Sequence, residues 1–75
     1  MDEKTPSYYA KDGIDPFHIM KIWSETDKEM SAYEGFLRFN VLKYIWRYRG
    51  KNGIDDLNKA SHYLDLLKNE YLQQK

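Results

Sequence analysis

Hydrophobic residues recur at helical spacing along most of the chain after its first 13 residues. No stretch alternates polar and apolar residues with the two-residue period of a strand. Three segments carry the helical period, and they predict helices over about 16–25, 32–49 and 54–72. The first residues lack any period, which predicts a polar N-terminal arm over 1–13 and a single helical domain over 14–75.

The predicted helices have recognisable start and stop signals. Asp15 before Pro16 predicts a helix start, because aspartate caps free amides and proline suits the first helical position. Ser31 and Glu34 have the spacing of a capping box at the start of the second helix. Gly50 predicts a left-handed residue that ends this helix.

These elements predict an all-α fold, a small three-helix domain. The two longer helices form an antiparallel hairpin closed by a tight turn at residues 51–53, and the shorter helix lies across them. The second helix is apolar around most of its circumference, so we expect burial on more than one side. A chain of 75 residues buries only a small core, so we expect a homo-oligomer to complete the fold. The third helix carries a heptad-like seam for core or dimer contacts, formed by Leu57, Ala60, Leu64, Leu67 and Tyr71.

Composition narrows the class of protein. Twelve basic and twelve acidic residues cancel, so the chain lacks the excess of cations that general binding of duplex DNA requires. The absence of cysteine excludes disulfides and thiolate metal sites. No apolar run approaches the roughly 20 residues of a membrane span, and the polar start lacks the apolar segment of a secretory signal. We therefore expect a cytoplasmic protein without a membrane partner.

Cations and aromatic rings are interleaved where the second helix ends and the third begins. Asn40, Lys43, Arg47 and Lys51 follow one another at spacings of three, four and four residues. Five cations crowd this region beside two aspartates, so positive charge is left to hold phosphate. The ring of Tyr44, Trp46 or Tyr63 could cover a base. The candidate ligand-binding residues are Asn40, Lys43, Tyr44, Arg47, Lys51, Asp56, Lys59 and Tyr63.

A purely structural explanation of the same residues stays open. Asp55 or Asp56 could pair with Arg47 or Lys51 and fix the hairpin without any ligand, a surface contact that contributes about 0–1 kcal/mol. The sequence has no P-loop pattern of glycines, lysine and serine or threonine. Its two histidines lie on different predicted helices, so we expect no metal site of the protein's own.

The same residues resemble a family signature. The run Asn40-x-x-Lys43-Tyr44-x-x-Arg47 resembles the GN-x-x-KY-x-x-R pattern of the small SaV-like proteins of bacteriophages, and the family's later K, DL-x-KA and YL elements also have counterparts. The resemblance runs from about Tyr8 to Leu67, and it implies the same set of eight functional residues. The later counterparts are Lys51, Asp56-Leu57, Lys59-Ala60 and Tyr63-Leu64.

The resemblance implies a phage-encoded intracellular protein. One member of that family is described as a nucleotide kinase that acts on deoxynucleoside monophosphates without a P-loop. Two positions depart from the family pattern: Tyr8 stands where a histidine is usual, and Phe39 where a glycine is frequent. If that histidine does chemistry, its loss favours binding over catalysis.

Two functional hypotheses follow. The first is a homo-oligomeric phage protein that binds a nucleotide and either turns it over as a kinase-like phosphotransferase or sequesters it, for example a host immune signal. It needs no dedicated cofactor, and magnesium would arrive with the nucleotide phosphates. No catalytic residue is assigned. The second is a protein-interaction module that inhibits a host defence or metabolic protein, because exposed aromatic residues and arginine make good hot spots.

Overall fold

The computed structural model describes residues 13–74, which fold into three α-helices and one short turn of 3₁₀ helix. The helices are α1 (Pro16–Thr26), α2 (Ala32–Arg47) and α3 (Ile54–Gln73), and the 3₁₀ turn is Tyr48–Gly50. The prediction of a small all-α, three-helix fold is confirmed. Residues 1–12 of the predicted N-terminal arm, including Tyr8, lie outside the described residues.

Local capping explains where α1 and α2 begin. The Asp15 carboxylate accepts a hydrogen bond from the backbone N–H of His18 at 2.8 Å, and proline occupies the first position of α1. The Ser31 hydroxyl accepts from the backbone N–H of Glu34 at 3.0 Å. Each cap satisfies an amide that the first turn of a helix leaves without a partner, so both starts follow from the sequence.

The two long helices form an antiparallel hairpin. At its closed end, the last residue of α2, Arg47, contacts Asp56 in the first turn of α3. At its open end, the Gln74 amide donates to the Glu34 carboxylate at 3.4 Å. Among the described residues, α1 packs against α2 and makes no close contact with α3. The predicted placement of the short helix across both long helices is therefore wrong: it lies on α2.

The turn between the long helices reverses at Gly53 instead of Gly50. Gly53 has φ of 55° and ψ of −123°, whereas Gly50 continues the 3₁₀ turn without a positive φ. The Gly53 N–H donates to the carbonyl of Tyr48 at 2.8 Å, and its own carbonyl accepts from the N–H of Asp56 at 3.0 Å. The prediction of a left-handed stop at Gly50 is wrong, because the chain first tightens into a 3₁₀ turn.

The interior of the described fold is small. Leu37 and Ala60 are its buried hydrophobic residues, and Asn40 and Asp56 are buried beside them. The heptad seam of α3 is divided: Ala60 is buried, but Leu57 and Leu64 are 37% and 45% exposed. The seam is therefore only partly buried among the described residues, and homo-oligomerisation stays a prediction.

Replacing Gly53 with alanine is expected to lower the free energy of unfolding by about 1–3 kcal/mol. The combination of φ and ψ at Gly53 is one that residues with a Cβ rarely adopt. Beyond Gly53 itself and its two chain neighbours, no atom of the described residues lies within 4 Å of the position a Cβ would take, so the cost comes from the backbone. Urea unfolding followed by helical circular dichroism measures the change. Gly50→Ala is the control, and an equal loss in both variants would contradict the assignment of the reversal to Gly53.

Candidate functional site

The closed end of the hairpin is held by an ion pair between Arg47 and Asp56. The Arg47 Nε and Nη2 atoms donate to Asp56 Oδ1 at 3.3 and 3.2 Å. The other carboxylate oxygen, Oδ2, accepts from the backbone N–H of Asn52 at 3.1 Å. The Asp56 side chain is fully buried and that of Arg47 is 13% exposed. Both carboxylate oxygens are therefore engaged within the fold.

The environment of Asp56 keeps its carboxylate ionised. Burial alone would raise the pKa of Asp56, but the N–H of Asn52 and the Arg47 guanidinium outweigh that effect and lower the pKa below its usual value. A buried carboxylate that stays charged needs both partners in place. Pairing within the hairpin, without any ligand, therefore explains why Asp56 is there. It also explains the contact that Arg47 makes with Asp56.

Three cations surround the ring of Tyr44. Lys43 Nζ lies 4.5 Å from the ring centroid, Arg47 Cζ 4.7 Å and Lys59 Nζ 5.5 Å. The ring of Tyr63 stacks on Tyr44 with centroids 5.9 Å apart and planes 13° apart. We call these five residues the Tyr44 cluster. The hairpin thus brings together residues that are up to twenty positions apart in the sequence.

The Tyr44 cluster carries more positive than negative charge. Lys43 and Lys59 form no salt bridge with any residue of the described part of the chain. Three cations and the single carboxylate of Asp56 leave two positive charges among these four side chains. All three cations lie within 5.5 Å of one ring centroid, less than the Debye length of about 8 Å at physiological salt, so salt screens their repulsion only in part. An anion placed between the two lysines would relieve their repulsion.

The structure places the remaining predicted site residues differently. Asn40 is 5% exposed, and its Nδ2 donates to the Phe36 carbonyl of its own helix at 2.9 Å. Lys51 is exposed in the turn and is not among the cations over the Tyr44 ring. Asn40 therefore belongs to the interior of the hairpin, and Lys51 lies at its end.

A second charged cluster, centred on Arg38, was not predicted from the sequence. Arg38 Nη2 donates to Asp27 at 2.7 Å and to Glu34 at 3.0 Å, and its guanidinium lies 4.9 Å from the Trp23 ring centroid. Burial disfavours the charged guanidinium, but the two carboxylates outweigh it and raise the pKa of Arg38. The i,i+4 spacing of Glu34 and Arg38 in the sequence indicates the ion pair between these two residues. Asp27 lies in the connection between α1 and α2, and it reaches Arg38 only because α1 packs on α2. The cluster therefore holds this connection against α2.

An apolar groove of about 660 Å³ lies between α1 and the N-terminal half of α2. Gly35 shapes its floor, because a Cβ there would lie 3.4 Å from the Met30 methyl carbon and 3.6 Å from that of Met20. None of the eight predicted site residues lines this groove. Its rim carries few charges, so it suits an apolar group, and the Tyr44 cluster suits an anion. The groove is bordered by the rings of Phe17, Phe36 and Phe39.

Neither a metal site nor a membrane-spanning helix is found within residues 13–74. Within this range, no three histidine or acidic side chains lie close enough together to hold a metal ion. No described helix combines the length and the apolar character needed to cross a lipid bilayer.

Asp56→Asn is expected to destabilise the protein by about 3 kcal/mol, the lower end of the range for breaking a buried ion pair, because Arg47 keeps some access to water. Chemical unfolding of wild type and variant measures the loss. Asp55→Asn is the matched control: it removes the same charge from an exposed neighbour and should cost less than about 1 kcal/mol. Equal losses in both variants would show that the buried pair is not the stabilising contact.

The pH dependence of stability should carry the signature of Asp56. Because folding lowers its pKa, its contribution is present above the ordinary aspartate pKa of about 3.9 and is lost as the pH falls through the folded-state pKa. The free energy of unfolding should therefore decrease below about pH 4 in wild type. Urea midpoints between pH 2 and 7 should show a shallower decrease in Asp56→Asn than in Asp55→Asn. The same slope in wild type and Asp56→Asn would refute this role.

Comparison with known proteins places the chain in a family. Residues 3–65, which include every residue of the Tyr44 cluster, match the sequence profile of a family described as "protein of unknown function (DUF3310)". No curated protein matches the chain. No solved structure matches it. Because the match extends over more than half of the sequence, the chain belongs to the DUF3310 family of proteins of unknown function.

Proposed function

We propose that the protein binds a nucleotide through its phosphate groups at the Tyr44 cluster. The observation that supports this proposal is the convergence of Lys43, Arg47 and Lys59 on one ring, where the carboxylate that pairs with them among residues 13–74 is that of Asp56. Lysine ammonium groups and arginine guanidinium groups are the side chains that proteins use to bind phosphate. The cluster offers both types from two helices.

The residues of the cluster would have different tasks. Lys43 and Lys59 would contact the phosphate oxygens, since neither is tied to a carboxylate of the described residues. Arg47, held by Asp56, would add a fixed positive charge beside them. The face of the Tyr44 ring attracts all three cations and keeps them close together before a ligand arrives. Such preorganisation reduces the entropic cost of binding.

The chemistry of the cluster favours holding a nucleotide over converting it. Phosphoryl transfer to a nucleoside monophosphate has a phosphate oxygen as its nucleophile and needs no base, but phosphotransferases use a carboxylate to position the magnesium ion on the transferred phosphate. Among the described residues, the carboxylate that pairs with one of these cations is Asp56, and both of its oxygens already accept hydrogen bonds from Arg47 and Asn52. Any magnesium ion would arrive on the phosphate oxygens themselves.

The biological setting rests on the resemblance to SaV-like phage proteins. In that setting the protein is encoded by a phage and acts in the cytoplasm of the infected bacterium. It would sequester a nucleotide, such as a signal of host defence, or act as a deoxynucleoside monophosphate kinase. The engaged state of Asp56 supports the first of these two roles.

A second candidate function is inhibition of a host protein through an apolar surface. Tyr33 and Phe36 support it: their rings stack at 6.4 Å, yet the two residues are 48% and 54% exposed. Phe36 also borders the apolar groove. Exposed aromatic residues grouped beside a groove are typical of surfaces that bind another protein. A second copy of this chain could use the same surface, as the predicted homo-oligomer requires.

Isothermal titration calorimetry against nucleoside mono-, di- and triphosphates and cyclic dinucleotides tests the first function. Lys43→Gln and Lys59→Gln should each weaken binding about tenfold, the loss of one charge-assisted hydrogen bond. Lys68→Gln is the control, because this exposed lysine lies on α3 and is near Asp65 instead of Tyr44. If no nucleotide binds the folded wild type, or if Lys68→Gln weakens binding equally, the proposal is wrong. Silence across the panel would favour the second function.

A further inference from the structure

We infer that the Tyr44 cluster recognises the phosphate chain of its ligand and is indifferent to the base. The inference rests on the proposed function and specifies its ligand class: a di- or triphosphate of any nucleoside, for which an inorganic polyphosphate is a direct competitor. It departs from the sequence-based expectation that Tyr44, Trp46 or Tyr63 covers a base. Three observations lead to it. The aromatic rings already have partners, two polar groups that could read a base are buried, and the cations are placed for an elongated anion.

The aromatic rings at the cluster already have partners. Tyr44 has Tyr63 stacked on it and three cations near its face. Tyr63 has two further rings at its sides, those of Phe36 with centroids 6.0 Å apart and of His62 with centroids 5.4 Å apart. A base binds an aromatic side chain by lying on its face. A nucleobase here would have to displace Tyr63 or a cation, which removes the contacts that form the site.

Two groups that could read the edge of a base, the Asn40 amide and the Trp46 indole N–H, are buried in the fold. The Asn40 side chain is buried, and its amide donates to the Phe36 carbonyl. The indole N–H of Trp46 is also buried and has no hydrogen-bond partner in the described residues. Bases are distinguished by hydrogen bonds to their edges. Both donors are buried, so neither is open to a ligand that binds on the Tyr44 cluster.

The charges, in contrast, are placed for an elongated anion. Lys43 comes from α2 and Lys59 from α3, and their ammonium groups are held around one ring instead of side by side on one helix. A single terminal phosphate carries a charge of about −2 at neutral pH. A chain of two or three phosphates carries more charge over a greater length, so it can contact both lysines at once. Affinity should therefore rise about tenfold with each added phosphate, the gain from one further charge-assisted hydrogen bond.

Calorimetry in a chloride buffer tests the inference with adenosine, AMP, ADP, and the triphosphates of adenosine, guanosine, cytidine and thymidine. The four triphosphates should bind with dissociation constants that agree within about fivefold, less than one stacked base contributes. Adenosine should not bind, and inorganic tripolyphosphate should displace ATP completely. A preference for one base of more than about tenfold, or failure of tripolyphosphate to displace ATP, would overturn the inference.

Tyr63→Leu supplies a second variant, because it removes the ring stacked on Tyr44 and keeps both lysines in the chain. Any shift of the Lys43 and Lys59 ammonium groups in this variant affects ATP and tripolyphosphate alike, so the comparison of the two ligands stays valid. The ratio of the dissociation constants of ATP and tripolyphosphate should be the same in the variant and in wild type. A variant that loses ATP affinity about tenfold but keeps its affinity for tripolyphosphate would show base stacking and overturn the inference. If neither ATP nor tripolyphosphate binds wild type, the proposed function itself fails. If ATP binds and tripolyphosphate does not compete, only the phosphate-chain inference fails.

Discussion

The buried contact between Arg47 and Asp56 is the constraint on which the hairpin depends. Asp56 is fully buried at the start of α3, and a charge in that position is costly unless each oxygen has a partner. Its partners are the last residue of α2 and the Asn52 amide of the turn. Satisfying both fixes where α2 ends and how α3 lies along it. That register sets Tyr63 and Lys59 beside Tyr44, so the charged cluster follows from the structural pair.

The two explanations that the sequence left open apply to different residues. Asp56 and part of Arg47 are explained by stability, because their hydrogen bonds satisfy each other inside the fold. Lys43 and Lys59 are not explained in this way, since among the described residues their close partner is the Tyr44 ring. Cation–π contacts at exposed sites contribute only about 0.5–1 kcal/mol, which is little compensation for gathering like charges. The proposed phosphate ligand would give these lysines a physical reason to converge.

Local chemistry in the sequence predicted the fold well, and long-range packing limited the prediction of the site. Asp15 and Ser31 act as the caps that their neighbours indicated, because a cap needs only three or four adjacent residues. The reversal at Gly53 was missed because either glycine of the turn could supply the left-handed residue, and the intervening 3₁₀ turn decided between them. The contact between Asp27 and Arg38 is not readable from the sequence, because it forms only when α1 lies on α2. The helical spacing of Asn40 with Lys43 likewise does not show that the asparagine faces the interior.

The most direct test of the account is an NMR titration of isotope-labelled protein with inorganic pyrophosphate, followed at the lysine side chains and the tyrosine rings. The account predicts saturable shifts of the Lys43 and Lys59 side-chain resonances together with the Tyr44 ring. Lys21 and Lys68, which lie beside carboxylates on exposed helix faces, should stay unchanged. Unshifted Tyr44 resonances, or equal and unsaturable shifts at every lysine, would contradict the claim that the hairpin forms an anion site at this ring.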